Sequence, residues 1–168
     1  MANPVDQHCQ GAQVTDGSEK LIVTWDDVED MCRVLGERLQ GEEFDKILGV
    51  ARGGLIPTAL LAQELGARDV LVASLASYQA DERGDDLAVL EFPVSEILAG
   101  KRVLIVDDVW DSGRTLELTR RLVEEAGGEP KVAVLHYKPR MSRFPELAPD
   151  YWLAETDDWV VYPWERGN

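Results

Sequence analysis

Two kinds of hydrophobic spacing alternate along the chain. Residues 21–23, 46–50, 70–77, 102–106 and 131–137 are short runs in which most side chains are apolar, the mark of strands buried on both faces. Between them the apolar residues recur at helical spacing. Val28, Met31, Cys32, Leu35 and Leu39 form one stripe, and residues 55–65 and 115–126 carry two more. Thr24 with Asp27 reads as a capping box that starts the first helix, and Gly41 ends it. Pro57 fits the first turn of the second helix, which Gly66 closes, and Gly127-Gly128 closes the third. Shorter strands are expected at 90–92, 151–154 and 159–162. Strands alternating with helices predict an α/β domain: a mostly parallel twisted sheet flanked by helices. Residues 1–18 are polar and aperiodic and read as a flexible tail, leaving 19–168 as a single domain. The charged stretch 79–87 reads as a long mobile loop.

Composition narrows the setting. A chain of 168 residues with 45% hydrophobic content suits one globular domain. No apolar run approaches the roughly 18 residues a membrane span needs, and the first residues lack the basic and apolar regions of a secretory signal. Cys9 and Cys32 have neither metal spacing nor a disulfide framework, and Cys32 reads as a small buried hydrophobe. A cytoplasmic protein is expected. The formal charge of −15 argues against nucleic acid or anionic membrane as partner. An anionic substrate would need local positive potential from helix ends, a few Arg and Lys, and a divalent cation.

The chemistry concentrates at residues 103–115. Val103, Leu104, Ile105 and Val106 run into Asp107 and Asp108, then after Val109 and Trp110 come Asp111, Ser112, Gly113, Arg114 and Thr115. A buried strand that delivers adjacent carboxylates to a tight turn opening a helix can hold a phosphate on its amides. Its carboxylates can take hydroxyls or hydrated Mg²⁺, so the pattern suits a ribose 5-phosphate. A second turn, Arg52-Gly53-Gly54, also leads from a strand into a helix. Its glycines leave amides open and its guanidinium can grip phosphate oxygens. Lys138 follows a third strand. Ligands of open α/β sheets sit beyond the carboxyl ends of the strands, so these loops are expected to converge. Trp25, Trp152 and Trp164 read as core, and Asp111 also suits a helix N-cap.

The 103–115 segment resembles the phosphoribosyl-diphosphate-binding motif of the type I phosphoribosyltransferases, an apolar run followed by two acids, two variable residues and Asp-[Ser/Thr]-Gly-x-Thr. Residues 21–26, 49–57, 59–62, 64–66 and 159–167 are similar to the bacterial xanthine-guanine (6-oxopurine) branch, and the likeness spans roughly residues 20–167. The resemblance implies the family's fold, with a small hood built from the chain termini. It implies transfer of the 5-phosphoribosyl group from phosphoribosyl diphosphate to xanthine, guanine or hypoxanthine in purine salvage, with Mg²⁺, in a homodimer or homotetramer. By position it casts Asp111 as the catalytic acceptor of the purine N7 proton. Arg52, Gly53 and Gly54 become the diphosphate loop, with a cis Ala51–Arg52 peptide, and Ser77, Tyr78 and Arg83 belong to a closing flap. Asp107 and Asp108 hold the ribose hydroxyls, and Ser112, Gly113, Arg114 and Thr115 the 5-phosphate. Lys138 donates to the purine 6-oxygen, Trp159 and Val160 face the base, and Asp108 and Glu165 hold Mg²⁺. Glu165 stands where the branch has Asp, and Arg114 and Val160 also differ from it. Two alternatives stay open: another base, or a regulator that senses phosphoribosyl diphosphate, which the acidic charge opposes.

Overall fold

The central sheet is ordered β4-β3-β2-β5-β6-β7. In chain order the elements are β1 (Lys20–Ile22), α1 (Trp25–Leu39), β2 (Lys46–Ala51), α2 (Leu55–Glu64), β3 (Val70–Tyr78), β4 (Asp86–Glu91), α3 (Ser95–Leu98), β5 (Arg102–Trp110), α4 (Arg114–Glu125), β6 (Glu129–Tyr137), β7 (Tyr151–Glu155) and β8 (Trp159–Val161). A 3₁₀ turn, Pro163–Glu165, follows β8. All neighbours in the large sheet are parallel except β3 and β4. This computed structural model describes residues 20–78 and 86–165, with only the backbone of Ser77, Tyr78 and Asp86. The expected tail, Cys9 and Arg83 therefore lie outside the described residues.

The uninterrupted apolar runs of β2, β5 and β6 are explained by cover on both faces. On one face Leu35 and Leu39 of α1 and Leu61 of α2 pack with Leu104, Val106 and Leu135. On the other, Leu116 and Val123 of α4 and Leu98 of α3 pack with Leu48, Ile105 and Val134. Thr24 caps α1 as its sequence requires: its hydroxyl accepts the Asp27 N–H at 3.1 Å, and Asp27 accepts the Thr24 N–H at 2.8 Å. Cys32 is buried, and burial first, then the charge of Glu64, pushes its thiol up to about 12, so it is inert as a nucleophile.

A smaller parallel ribbon stands apart from the main sheet. Lys20 pairs with Trp159, Leu21 with Val160 and Ile22 with Val161. This is the hood from the chain termini, and it carries Trp159 to the carboxyl-end edge of the sheet.

Several elements differ from the sequence expectation. β5 runs on from Val106 to Trp110, because Val109 still pairs with His136 and Trp110 with Tyr137. The carboxylates break the apolar pattern without breaking the ladder. β4 starts at Asp86, inside the stretch expected as loop, and ends before Phe92. Its Leu87-Ala88-Val89-Leu90 run has no alternation to mark it, and its pairing with β3 carries a register shift between Ser74 and Leu75. The single-turn α3 was not anticipated. Trp25 is not core: at the first position of α1 it is 55% exposed, its ring tilted 55° against that of Trp164 with centroids 5.8 Å apart.

Candidate active site

The last residues of β5 and the turn into α4 enclose an open pocket of about 230 Å³ lined by Asp108, Asp111, Ser112, Gly113 and Thr115 among others. Gly113 caps α4 in the left-handed conformation, at φ 79°, and, being glycine, makes no side-chain cap bond. Asp111 is therefore not the N-cap that its sequence position suggested. The open amides and helix dipole face the pocket instead, a ready anion site. A side chain at Gly113 would meet two obstacles: the positive φ and the Trp110 indole, which lies directly beneath it.

Trp110 is the floor of this loop and was missed in the sequence, where it fell in a variable position of the motif. It is wholly buried, donates from Nε1 to Ser142 Oγ at 3.2 Å and accepts the Lys138 N–H on its carbonyl at 2.9 Å. Its signal is a bulky residue closing a strand just before a glycine that must turn.

The Arg52-Gly53-Gly54 turn packs against the same carboxylates. The Ala51–Arg52 peptide is cis, as the resemblance implies. The Gly54 N–H bonds the Val50 carbonyl at 2.9 Å, and no side chain caps the start of α2. A Cβ on Gly53 would collide with the Asp108 carboxylate, and one on Gly54 would lie 2.7 Å from the Val50 carbonyl oxygen. Only backbone fits between β2 and β5 here. Arg52 itself is exposed at the mouth.

Asp107 and Asp108 share a crowded space. Asp107 accepts the Asp108 N–H at 2.9 Å. Burial, then the charge of Asp108, pushes the Asp107 carboxyl well above the usual range. Asp108 is only 7% exposed; burial pushes its carboxyl up to about 6, and the Glu165 charge adds to the rise. Glu165 is brought close by the 3₁₀ turn, where it accepts the Tyr162 N–H at 3.2 Å. Among the described residues no cluster of three or more metal-type side chains stands ready to enclose an ion. Two converging carboxylates, Asp108 and Glu165, nonetheless fit Mg²⁺, which takes one or two protein carboxylates and completes its shell with water and substrate phosphates.

Lys138 closes the far lip. It is 5% exposed, yet its ammonium reaches Asp111 Oδ2 at 3.6 Å and lies 5.5 Å from the centre of the Trp159 ring. Trp159 is 60% exposed, an indole face open to solvent beside a buried cation. The side chain of Val160, the next residue, packs into the core. Ser77 and Tyr78 end β3, Arg83 lies outside the described residues, and Arg114 opens α4. Sequence reasoning also missed the buried pair His136 and Tyr162, whose ring nitrogen and hydroxyl are 2.7 Å apart.

Residues 25–167 match the family described as the phosphoribosyl transferase domain. Over 150 residues the chain is 37% identical to the xanthine-guanine phosphoribosyltransferase of Vibrio parahaemolyticus, covering 88% of this chain and 90% of that protein. The crystal structure of a purine phosphoribosyltransferase from Pyrococcus horikoshii is 38% identical with a TM-score of 0.80, covering 89% of this chain and 96% of that one. A hypothetical protein from Neisseria gonorrhoeae, crystallised with bound ppGpp, is 27% identical with a TM-score of 0.78, covering 92% and 93%.

Proposed function

Since the chain belongs to the phosphoribosyl transferase family, we propose that it moves the 5-phosphoribosyl group of phosphoribosyl diphosphate onto a 6-oxopurine, giving the nucleoside monophosphate and diphosphate. The observation that carries the choice of base is the trio of Lys138, Asp111 and Trp159. An ammonium, a carboxylate and an exposed indole face lie together beside the pentose-phosphate pocket. They match the 6-oxygen, the N7 proton and the ring face of such a purine.

In this reading the open amides of the Gly113 turn, with the Ser112 and Thr115 hydroxyls, grip the 5-phosphate. Asp107 and Asp108 accept the ribose hydroxyls. Arg52 and the Gly53-Gly54 amides bind the diphosphate, while Ser77, Tyr78 and Arg83 belong to the covering flap. Trp159 stacks on the base, a contact worth roughly 1–3 kcal/mol in related settings. Lys138 donates to the 6-oxygen, which turns N9 toward C1 of the sugar. The bond from C1 to the diphosphate oxygen breaks as the bond from N9 to C1 forms. Positive charge grows on the sugar ring, and Arg52 and the loop amides balance the negative charge on the leaving group. Asp111 takes the N7 proton as the base becomes electron-poor, an aid typically worth ~10²–10⁴ in rate. Asp108 and Glu165 are the residues that would hold Mg²⁺, whose charge would offset that of the diphosphate. The reading includes a cytoplasmic enzyme that self-associates as a homodimer or homotetramer, for which the exposed Val70, Val72 and Leu90 of β3 and β4 supply an apolar face.

A panel of bases with phosphoribosyl diphosphate and Mg²⁺, followed by ultraviolet absorbance, tests the proposal. Turnover is expected with at least one of xanthine, guanine and hypoxanthine and not with adenine, orotate or uracil. Absence of turnover with all three 6-oxopurines overturns it. Binding to duplex DNA in low salt, together with that absence, would favour the regulatory alternative.

A further inference from the structure

Tyr162 sits where three parts of the site meet. It is 1% exposed, directly after β8. Its hydroxyl donates to the Asp108 carbonyl at 2.8 Å, its main-chain N–H donates to Glu165 Oε2 at 3.2 Å, and its ring stacks on Trp164 with centroids 4.7 Å apart and planes 6° apart. The two carboxylates proposed to hold the dication come from distant parts of the chain, one on β5 and one beyond the hood. Tyr162 links the two residues, through the main-chain carbonyl of Asp108 and the carboxylate of Glu165.

His136 locks the arrangement. It is 3% exposed, with Nδ1 2.7 Å from the Tyr162 hydroxyl. Burial, then the nearby Lys138, pushes its imidazole down to about 4, so it is neutral near pH 7. Tyr162 has one hydroxyl proton, and it goes to the Asp108 carbonyl. The His136 nitrogen facing the hydroxyl must then be the protonated one, donating to the phenol oxygen. A buried two-bond chain, His136 to Tyr162 to Asp108, leaves the phenol no other well-satisfied rotation.

We propose that Tyr162 is a positioning residue that sets the spacing of Asp108 and Glu165, and through it the affinity for the dication and the diphosphate it accompanies. The proposal rests on the functional reading above, in that it takes those two carboxylates as the dication's ligands. Nothing about the purine enters it: Trp159 and Lys138 are held by the β1–β8 ladder and by Trp110.

The test is Tyr162→Phe, which keeps the ring and its stack on Trp164 and deletes the hydroxyl. Mn²⁺ binding in the presence of phosphoribosyl diphosphate, followed by electron paramagnetic resonance, is expected to weaken about tenfold, within the range for breaking a buried hydrogen-bonded chain. KM for phosphoribosyl diphosphate should rise in parallel, while KM for the purine and kcat at saturating Mg²⁺ stay within about twofold. The same substitution strands the His136 donor and costs stability on that account. A second variant, Tyr162→Phe with His136→Leu, removes the stranded donor but does not restore the bond to the Asp108 carbonyl. It should regain thermal stability and keep the weakened Mn²⁺ binding, and it decides alone if the single variant does not fold. Unchanged Mn²⁺ affinity in either variant, or affinity that recovers with stability in the double variant, overturns the proposal. A wild-type protein that binds Mn²⁺ with phosphoribosyl diphosphate but turns over no 6-oxopurine would sink the functional reading instead.

Discussion

The two ends of the central sheet treat charge in opposite ways. Where the strands begin, opposite charges are paired: Lys46 with Asp69 at 2.6 Å, Arg102 with Glu42 at 2.8 Å, and Asp150 with both Lys131 and Arg120 at 2.9 and 3.0 Å. Where they finish, Asp107 lies beside Asp108 with Glu165 near, and the starts of α2 and α4 have no capping side chain. α1, closed by its own Thr24 and Asp27, differs in this from α2, α3 and α4, none of which has a side-chain cap; α2 and α4 are the two whose open starts lie beside these carboxylates. One end satisfies its own groups. The other crowds carboxylates beside open helix starts, with Lys138 3.6 Å from Asp111, the local inconsistency expected of a functional site.

The sharpest way to break this contrast is at Asp111. Asp111→Asn is expected to lower kcat by ~10²–10⁴ while KM for phosphoribosyl diphosphate stays within about threefold, measured by steady-state kinetics. A neutral amide keeps the shape but cannot take the N7 proton.

A pH titration of stability separates the ends next. His136 has its folded value pushed down to about 4 from an ordinary 6.5. Between those values the unfolded chain binds the proton more readily, so the contribution of neutral His136 is fully present above about pH 6.5 and lost as pH falls toward 4. The loss amounts to roughly 3 kcal/mol. Denaturant unfolding of wild type and His136→Gln should differ by that pH-dependent amount, the variant having the flatter profile.

Asp108→Asn removes a charge from the crowded end. It should raise the melting temperature of the ligand-free protein by about 2–4 °C while activity falls, as calorimetry and kinetics together would show. Asp69→Asn at the other end has the smallest effect. It should move the melting temperature by about a degree or less and leave kcat and KM unchanged, because Asp69 is largely solvated. A large kinetic effect there would dissolve the contrast altogether.

The parts legible in the sequence are those whose physical demand falls on neighbouring residues. A left-handed turn needs Gly113 beside Asp111 and Thr115, a doubly covered strand needs the apolar run before Asp107, and a capping box needs Thr24 three residues before Asp27. The parts that were not legible are made by residues far apart. Trp110 supports Gly113 and Lys138 together, and Tyr162 reaches Asp108 across 54 positions. No local spacing records either. The extension of β5 past Val106 was hidden because polar side chains on a strand interrupt the hydrophobic signal but not the hydrogen-bond ladder. Trp25 misled for the reverse reason: its apolar ring suggested burial, but the first position of a helix faced outward.

The β1–β8 ribbon joins residues separated by nearly the whole polypeptide, with Lys20 against Trp159. On the ribosome β2, β5 and the turns that follow them emerge well before the partner of β1 does. Trp159 therefore reaches its place only after those turns can form. A nascent chain can shape the proposed phosphate cradle before it can offer a nucleobase the proposed stacking surface, the Trp159 indole.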